Sequence, residues 1–170
     1  MRIELNIHQL SHHVNRQLIN MLGGSDDIFP YLDQTLIRVS NCFKVTKNKY
    51  YHDQHGVAYF SPYHSGQYSI FLYFLANTIY RFGDNPLLAT KLYYLNKILH
   101  SVDWYYEIEL PEYWGVEHPL GSVLGRAKYS NGFFFYQGCT VGGNKGKYPA
   151  IGENVILYSN STVLGNTIIG

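Results

Sequence analysis

Charge is scarce in this 170-residue chain: charged residues make up 15%, and 13 Lys and Arg face 12 Asp and Glu for a formal net charge of +1. Nucleic-acid binding draws on clustered positive charge, so this balance argues against it. No basic amphipathic helix marks a membrane-surface segment either. Cysteine is scarcer still. Cys42 and Cys139 are too few for a disulfide framework and neither lies in a metal-like cluster, which makes a cytoplasmic setting the expectation. The best apolar run, Tyr68 to Tyr80, falls well short of the roughly 20 residues that cross a bilayer and reads as a buried helix. The opening MRIELNIHQLSHH places polar residues and histidines where a secretory leader needs an apolar stretch. With 46% hydrophobic residues the chain is not disordered, and at this mass it has enough surface to bury for a self-sufficient core.

What is present changes character near residue 102. Eleven of the sixteen glycines fall in the last 56 residues. Upstream, four helices are expected. One runs from Leu10 to Leu22 and stops at Gly23-Gly24. A second starts at Ser25 as cap, followed by Asp26 and Asp27 on the positive helix end, with Leu32, Leu36, Ile37 and Val39 as its apolar side and Pro30 in or before its first turns. After a polar loop, a third covers Gln67 to Arg81. A fourth, capped by Asn85 with Pro86 in its first position, reaches Leu99 with Leu88, Leu92, Leu95 and Leu99 as an inward stripe that Ile98 widens.

Downstream the chain repeats. Ile151, Leu157, Val163 and Ile169 stand six residues apart, a spacing that neither a helix nor a simple strand uses. It fits three short strands per triangular coil, each repeated aliphatic pointing inward. Trp104, Leu110 and Val116 keep the interval, as do Phe135 and Val141, while Val116 to Leu124 carries a two-residue irregularity. The expected fold is mainly β: a parallel β-helix over residues 102–170 with an α-helical N-terminal domain over 1–101 as its cap. The rings of Phe133 to Tyr136 are too bulky for all of them to enter so narrow an interior, and some are expected at the cap or a subunit interface.

The segment VDWYYEIELPEYWGVEHPLGSVLG, from Val102 to Gly125, resembles the first coil of the serine acetyltransferase family, with Val102-Asp103 at its start and Glu117-His118 in the acid-histidine position. GCTVGG, Gly138 to Gly143, is similar to the family's glycine-pair turn, and YPAIGENVILYSNSTVLGNTIIG to its later coils. The resemblance implies a left-handed β-helix acyltransferase that is trimeric or a dimer of trimers, uses acetyl-CoA as co-substrate, and needs no metal. It implies His118 as general base and Asp103 as the carboxylate that orients it; an imidazole titrating near neutrality suits that task. Glu117, Lys147 and Tyr148 are candidate acceptor-binding residues. Gly142, Gly143, Lys145, Ser159, Asn160 and Ser161 are candidates for the acetyl-CoA channel, the three from 159 to 161 having corner-capping as their plainer role. The family's Arg-His before a Pro is replaced by Lys147-Tyr148-Pro149. Lysine lacks the two-pronged grip of arginine on a carboxylate, so a sugar hydroxyl or another small alcohol stands beside L-serine as acceptor. The stop at Gly170 leaves a short coil stack, which makes a non-catalytic oligomeric scaffold the competing reading. His52-Asp53-Gln54-His55 reads as a polar loop, His12-His13 as helix surface, Cys139 as a packed thiol, and GGNKGK lacks the context of a phosphate loop.

Overall fold

Local signals set the helix ends in the computed structural model, which describes residues 1–24 and 26–170. Helix α1 (Ile7–Leu22) starts three residues before the expected Leu10, because Asn6 and Gln9 accept each other's backbone N–H at 3.0 Å. It ends at Gly23, whose φ of 70° a side chain would resist. The expected cap at Ser25 lies outside the described residues. Helix α2 (Phe29–Lys44) begins beside Pro30, so the proline does delay it. Leu32 and Val39 are buried, but Ile37 is 62% exposed, and the apolar side is narrower than its aliphatics imply.

The following loop holds a 3-10 turn at Lys49–Tyr51 and strand β2 (Tyr59–Phe60), which pairs in parallel with β1 (Arg2–Ile3). Two-residue strands carry no period, and the sequence reading missed both. Helix α3 (Ser65–Phe82) is buried continuously from Gly66 to Ile79, the central position that its all-round hydrophobicity requires. Helix α4 (Pro86–His100) starts on the expected cap, with Asn85 Oδ1 accepting from Leu88 N–H at 3.0 Å. Its stripe of Leu88, Leu92 and Leu95 is buried, yet Leu99 is only half-buried and Ile98 faces solvent; Asn96 and His100 fill that flank.

Beyond Val102 the strands are β3 (Asp103–Trp104), β4 (Trp114–Val116), β5 (Val123–Leu124), β6 (Lys128–Tyr129), β7 (Phe133–Phe135), β8 (Thr140–Gly142), β9 (Ala150–Ile151), β10 (Ile156–Leu157), β11 (Thr162–Leu164) and β12 (Ile168–Ile169). All pair in parallel, in three sheets ordered β3-β5-β8-β11, β4-β7-β10 and β6-β9-β12. From β4 onward successive strands enter successive sheets, which is the left-handed parallel β-helix with α-helical cap that the six-residue period anticipated. Ile151, Leu157 and Val163 point inward and are buried. Phe133 and Phe135 both fit inside, Phe135 lying 8° from parallel with Trp114, and only Phe134 of the three turns outward.

One hydrophobic core runs through both halves. Tyr73 and Phe74 of α3 meet the Trp114 ring, Asn77 Nδ2 donates to Tyr106 O at 2.7 Å, and the Cys42 thiol donates to Trp114 O at 3.1 Å. The period lengthens at two places and shortens by one residue between Leu124 and Tyr129. Residues 117–122 form an enlarged corner between β4 and β5, and residues 143–148 form a hairpin closed by Asn144 and Lys147.

Candidate active site

The enlarged corner is stapled from beneath. Ser122 Oγ donates to Pro119 O at 2.6 Å and accepts from Trp104 Nε1 at 2.9 Å, while Gly121 N–H donates to Ser101 O at 2.9 Å. Those bonds hold His118 in the left-handed region, at φ 53°. Its ring is exposed and makes no hydrogen bond among the described residues. Glu117 continues the ladder through its N–H to Phe135 O at 3.1 Å, and its Oε1 accepts from Asn48 Nδ2 at 3.0 Å. Tyr136 occupies the equivalent position one coil on; burial first and then the Glu117 carboxylate raise its pKa. The Tyr136 and Tyr158 rings stack 5.5 Å apart, so Glu117, Tyr136 and Tyr158 form one column.

The helical half supplies the opposite wall. His64 caps α3, its Nδ1 accepting from Gln67 N–H at 3.3 Å. Burial lowers its pKa, the Glu117 charge works to raise it, and His118 lowers it further. Between Glu117 and the end of α2 lies a cavity of about 480 Å³. Gly115, Phe134 and Ile156 floor it, and Lys47 and Asn48 stand on its rim. A Cβ on Gly115 would come within 2.7 Å of the Phe134 ring, so that glycine is what lets the ring lie flat against the sheet.

Asp103 takes part differently from the expectation. Its Oδ2 accepts from Lys97 Nζ at 2.7 Å and its Oδ1 from the Tyr93 hydroxyl at 2.6 Å, and no hydrogen bond joins it to His118 among the described residues. Burial works to raise its pKa, but the bonds from Lys97 and Tyr93 outweigh burial and hold the carboxyl below its ordinary range.

The remaining candidates separate into two places. Gly142 lies in β8, and its open face meets only Leu164, 3.7 Å from where a Cβ would sit. Gly143 is covered by the Tyr148 ring, which leaves 2.7 Å for a Cβ there. Lys145, Lys147 and Tyr148 are exposed on the hairpin, at the opposite edge of the β3-β5-β8-β11 sheet from Glu117. The structure therefore does not bring Lys147 and Tyr148 to Glu117 within one chain. Ser159, Asn160 and Ser161 share the corner column of His118 two coils on, about 10 Å away at the usual strand spacing. Ser161 Oγ donates to Tyr158 O at 2.6 Å and Asn160 N–H to Gln137 O at 2.9 Å, bonds that close the corner. Cys139 is buried against Tyr158 O, and Asp53 accepts from His55 N–H and Val57 N–H within a turn. Among the described residues no three His, Cys, Asp or Glu side chains converge as a metal site would require.

No protein-family profile matches the chain. In sequence it is 25% identical over 108 residues to a protein of Staphylococcus epidermidis, covering 61% of this chain and 50% of that one. It is 24% identical over 111 residues to one of Staphylococcus xylosus, covering 62% and 51%. In fold it superposes on a Neisseria gonorrhoeae enzyme solved with serine, with TM-score 0.72, 22% identity, and 98% of this chain covering 72% of that one. A Brucella abortus enzyme solved with coenzyme A gives TM-score 0.66 at 17% identity, covering 98% and 71%. All four are serine acetyltransferases.

The chain spans about half the length of the serine acetyltransferases it matches in sequence. At these identities the solved serine acetyltransferases establish the shared fold, including the helical cap. Three residues that border the site were not singled out from the sequence: Asn48, His64 and Tyr136. Tyr136 had a legible signal, since it follows inward Phe135 as Glu117 follows Val116 and Tyr158 follows Leu157. Asn48 and His64 had none, because only tertiary packing brings the helical half onto this corner.

Proposed function

We propose that the protein is an acetyl-CoA-dependent O-acetyltransferase acting on a small-molecule hydroxyl, with His118 as general base. The observation that carries the reading is the placement of Glu117-His118 at the enlarged coil corner, beside a cavity, in a left-handed β-helix with sequence similarity to serine acetyltransferases. Bound acetyl-CoA supplies the acetyl thioester. The neutral His118 imidazole takes the proton of the acceptor hydroxyl as its oxygen attacks the thioester carbonyl carbon. When the carbon–sulfur bond breaks, the imidazolium returns that proton to the departing thiolate. Asp103 lies one coil below, kept ionised by Lys97 and Tyr93, and supports the imidazolium through its charge rather than through a hydrogen bond.

Glu117 places the acceptor, which occupies the cavity over Phe134. The open face of Gly142 fits a pantetheine arm running over the outer face of β8, where a side chain would otherwise intrude. Ser159 and Asn160 stand at the His118 end of that path and Lys145 at its hairpin end. Lys147 and Tyr148 reach the acceptor of a neighbouring copy, because in their own chain the hairpin lies across the sheet from Glu117. The apolar floor and the absence of an arginine on the hairpin favour a sugar or other neutral alcohol as an acceptor alongside L-serine.

The test is acceptor-dependent thiol release from acetyl-CoA across L-serine, homoserine and a set of amino and deoxy sugars. His118→Ala is expected to lower turnover at least ~100-fold, the usual size of a lost general base, with its circular dichroism unchanged because the ring is exposed. Wild-type release with no acceptor, or undiminished turnover in the variant, would remove the reading.

A further inference from the structure

We propose that His64 is a positioning residue of the Glu117-His118 corner, a second imidazole that the N-terminus of α3 holds against the carboxylate and base from the helical side. This deepens the proposed function, and its placement can be tested without any turnover. The geometry comes from three contacts. Gln67 N–H donates to Nδ1, which leaves Nε2 as the protonated nitrogen of the neutral ring and its one free donor. The Tyr51 ring meets the imidazole edge-on at 5.7 Å, and the Tyr51 hydroxyl points to Val116 O, the carbonyl directly before Glu117. Gly66 lies at the joint: a Cβ there would stand 3.0 Å from the Tyr51 hydroxyl, 3.3 Å from His64 Cε1 and 3.4 Å from Val116 O, so α3, the imidazole and the corner meet at this residue.

The groups facing the ring are Tyr50 and Tyr51 from the 3-10 turn, with Lys49 over the far Tyr50 ring, and Glu117 and His118 from the corner. A neutral imidazole in that place can donate Nε2–H toward the Glu117 side without adding positive charge where His118 must accept a proton. Charging it would also break its bond to Gln67 N–H, since a protonated Nδ1 accepts nothing. Burial, the cap, the helix end and the base thus favour the neutral form, and together they outweigh a backbone hydrogen bond of His64 itself and the Glu117 charge. Asn48 completes the arrangement by occupying Glu117 Oε1. His64 therefore fixes the carboxylate that receives the acceptor and does so without competing with His118 for the proton.

The decisive measurement is the imidazole Cε1–H titration of His64 by NMR in the full chain. Glu117→Gln removes a carboxylate charge that favours the charged ring, so His64 is expected to titrate at lower pH than in wild type. His118→Asn removes the neighbouring imidazole that disfavours charge on His64, so His64 is expected to titrate at higher pH. These opposite signs follow from juxtaposition with both residues. A merely structural cap would move with neither, and that result overturns the placement. For the functional half, His64→Asn keeps a good helix cap and removes the ring. It is expected to raise the acceptor KM several-fold with the acetyl-CoA KM unchanged, whereas His64→Ala adds a lower melting midpoint. An active wild type with unaltered acceptor KM in His64→Asn overturns the positioning role and leaves the acetyltransferase reading standing. Inactive wild type with the opposite-signed titrations removes that reading and keeps His64 where the structure puts it.

Discussion

Asp103 shows how a residue named by a motif acquires a role from its neighbours. Both oxygens are engaged by α4, so the carboxylate ties that helix to the first strand of the solenoid. The Lys97–Asp103 pair is 43% and 38% exposed on its two sides, and solvent screening limits it to under about 1 kcal/mol. Because the folded pKa of Asp103 is lowered, its contribution is present above the ordinary carboxylate value and is lost only as pH falls through the lowered one. Lys97→Met is therefore expected to cost little stability from pH 5 to 8. Asp103→Asn is expected to lose about tenfold in turnover, less than His118→Ala, since no hydrogen bond to the base is forfeited; steady-state kinetics of both variants checks the order. Equal losses for Asp103→Asn and His118→Ala would restore a hydrogen-bonded pair. At this scale Glu117 and His118 were named by the resemblance of the Val102–Gly125 segment to a serine acetyltransferase coil, and the structure sets them on the corner that interrupts the six-residue period. It could not show that Lys97, just six residues before Asp103, would take the carboxylate, since the turn of chain between them is not periodic.

Helix α4 was the most legible element, for Asn85-Pro86 and the leucine spacing each specify it independently. Its C-terminal end was not, because there a polar pair replaces the expected aliphatics. Asn96 Nδ2 donates to Ser69 O of α3 at 3.0 Å, and its Oδ1 meets His100 Nδ1 at 2.7 Å. The His100 ring packs edge-on to Tyr68 at 5.7 Å, so α3 and α4 are joined by a buried imidazole that must stay neutral. Burial pushes its pKa down to about 4. A basic group with a depressed folded pKa binds fewer protons folded than unfolded, so its neutrality stabilises above ~6.5 and that benefit drains away as pH falls toward 4. The full loss is on the order of 3 kcal/mol. His13 and His64, also lowered by burial, act in the same direction. Thermal melts between pH 7 and 4 are expected to show a steep acid limb that His100→Gln flattens. An unchanged limb in that variant would mean that His100 is charged or exposed in the folded protein.

For the whole molecule, the two places where the period lengthens both carry candidate site residues, and they lie at opposite edges of one sheet. The corner carries Glu117 and His118; the hairpin carries Lys145, Lys147 and Tyr148. A single chain cannot bring them together, whereas copies packed around the solenoid can set one chain's hairpin beside the next one's corner. The side chains between them suit such packing: Val123 and Leu164 are 38% and 44% exposed on that sheet, Ile156 is 50% exposed on the adjoining one, and Tyr158 is 69% exposed at the corner after it. Aliphatic and aromatic groups gathered on neighbouring faces of a small domain mark an association surface. We accordingly expect sedimentation to give a trimer or a multiple of one rather than a 19.6 kDa monomer. Leu164→Glu and Val123→Glu each place a charge on the sheet without touching the inward Val163 or Leu124, so they should yield folded monomers. If the hairpin works in trans, turnover falls with assembly in these variants, and mixing an inactive His118→Ala chain with a hairpin-deleted chain restores part of it. Full activity in a monomeric variant would confine the site to one chain and remove Lys147 and Tyr148 from it.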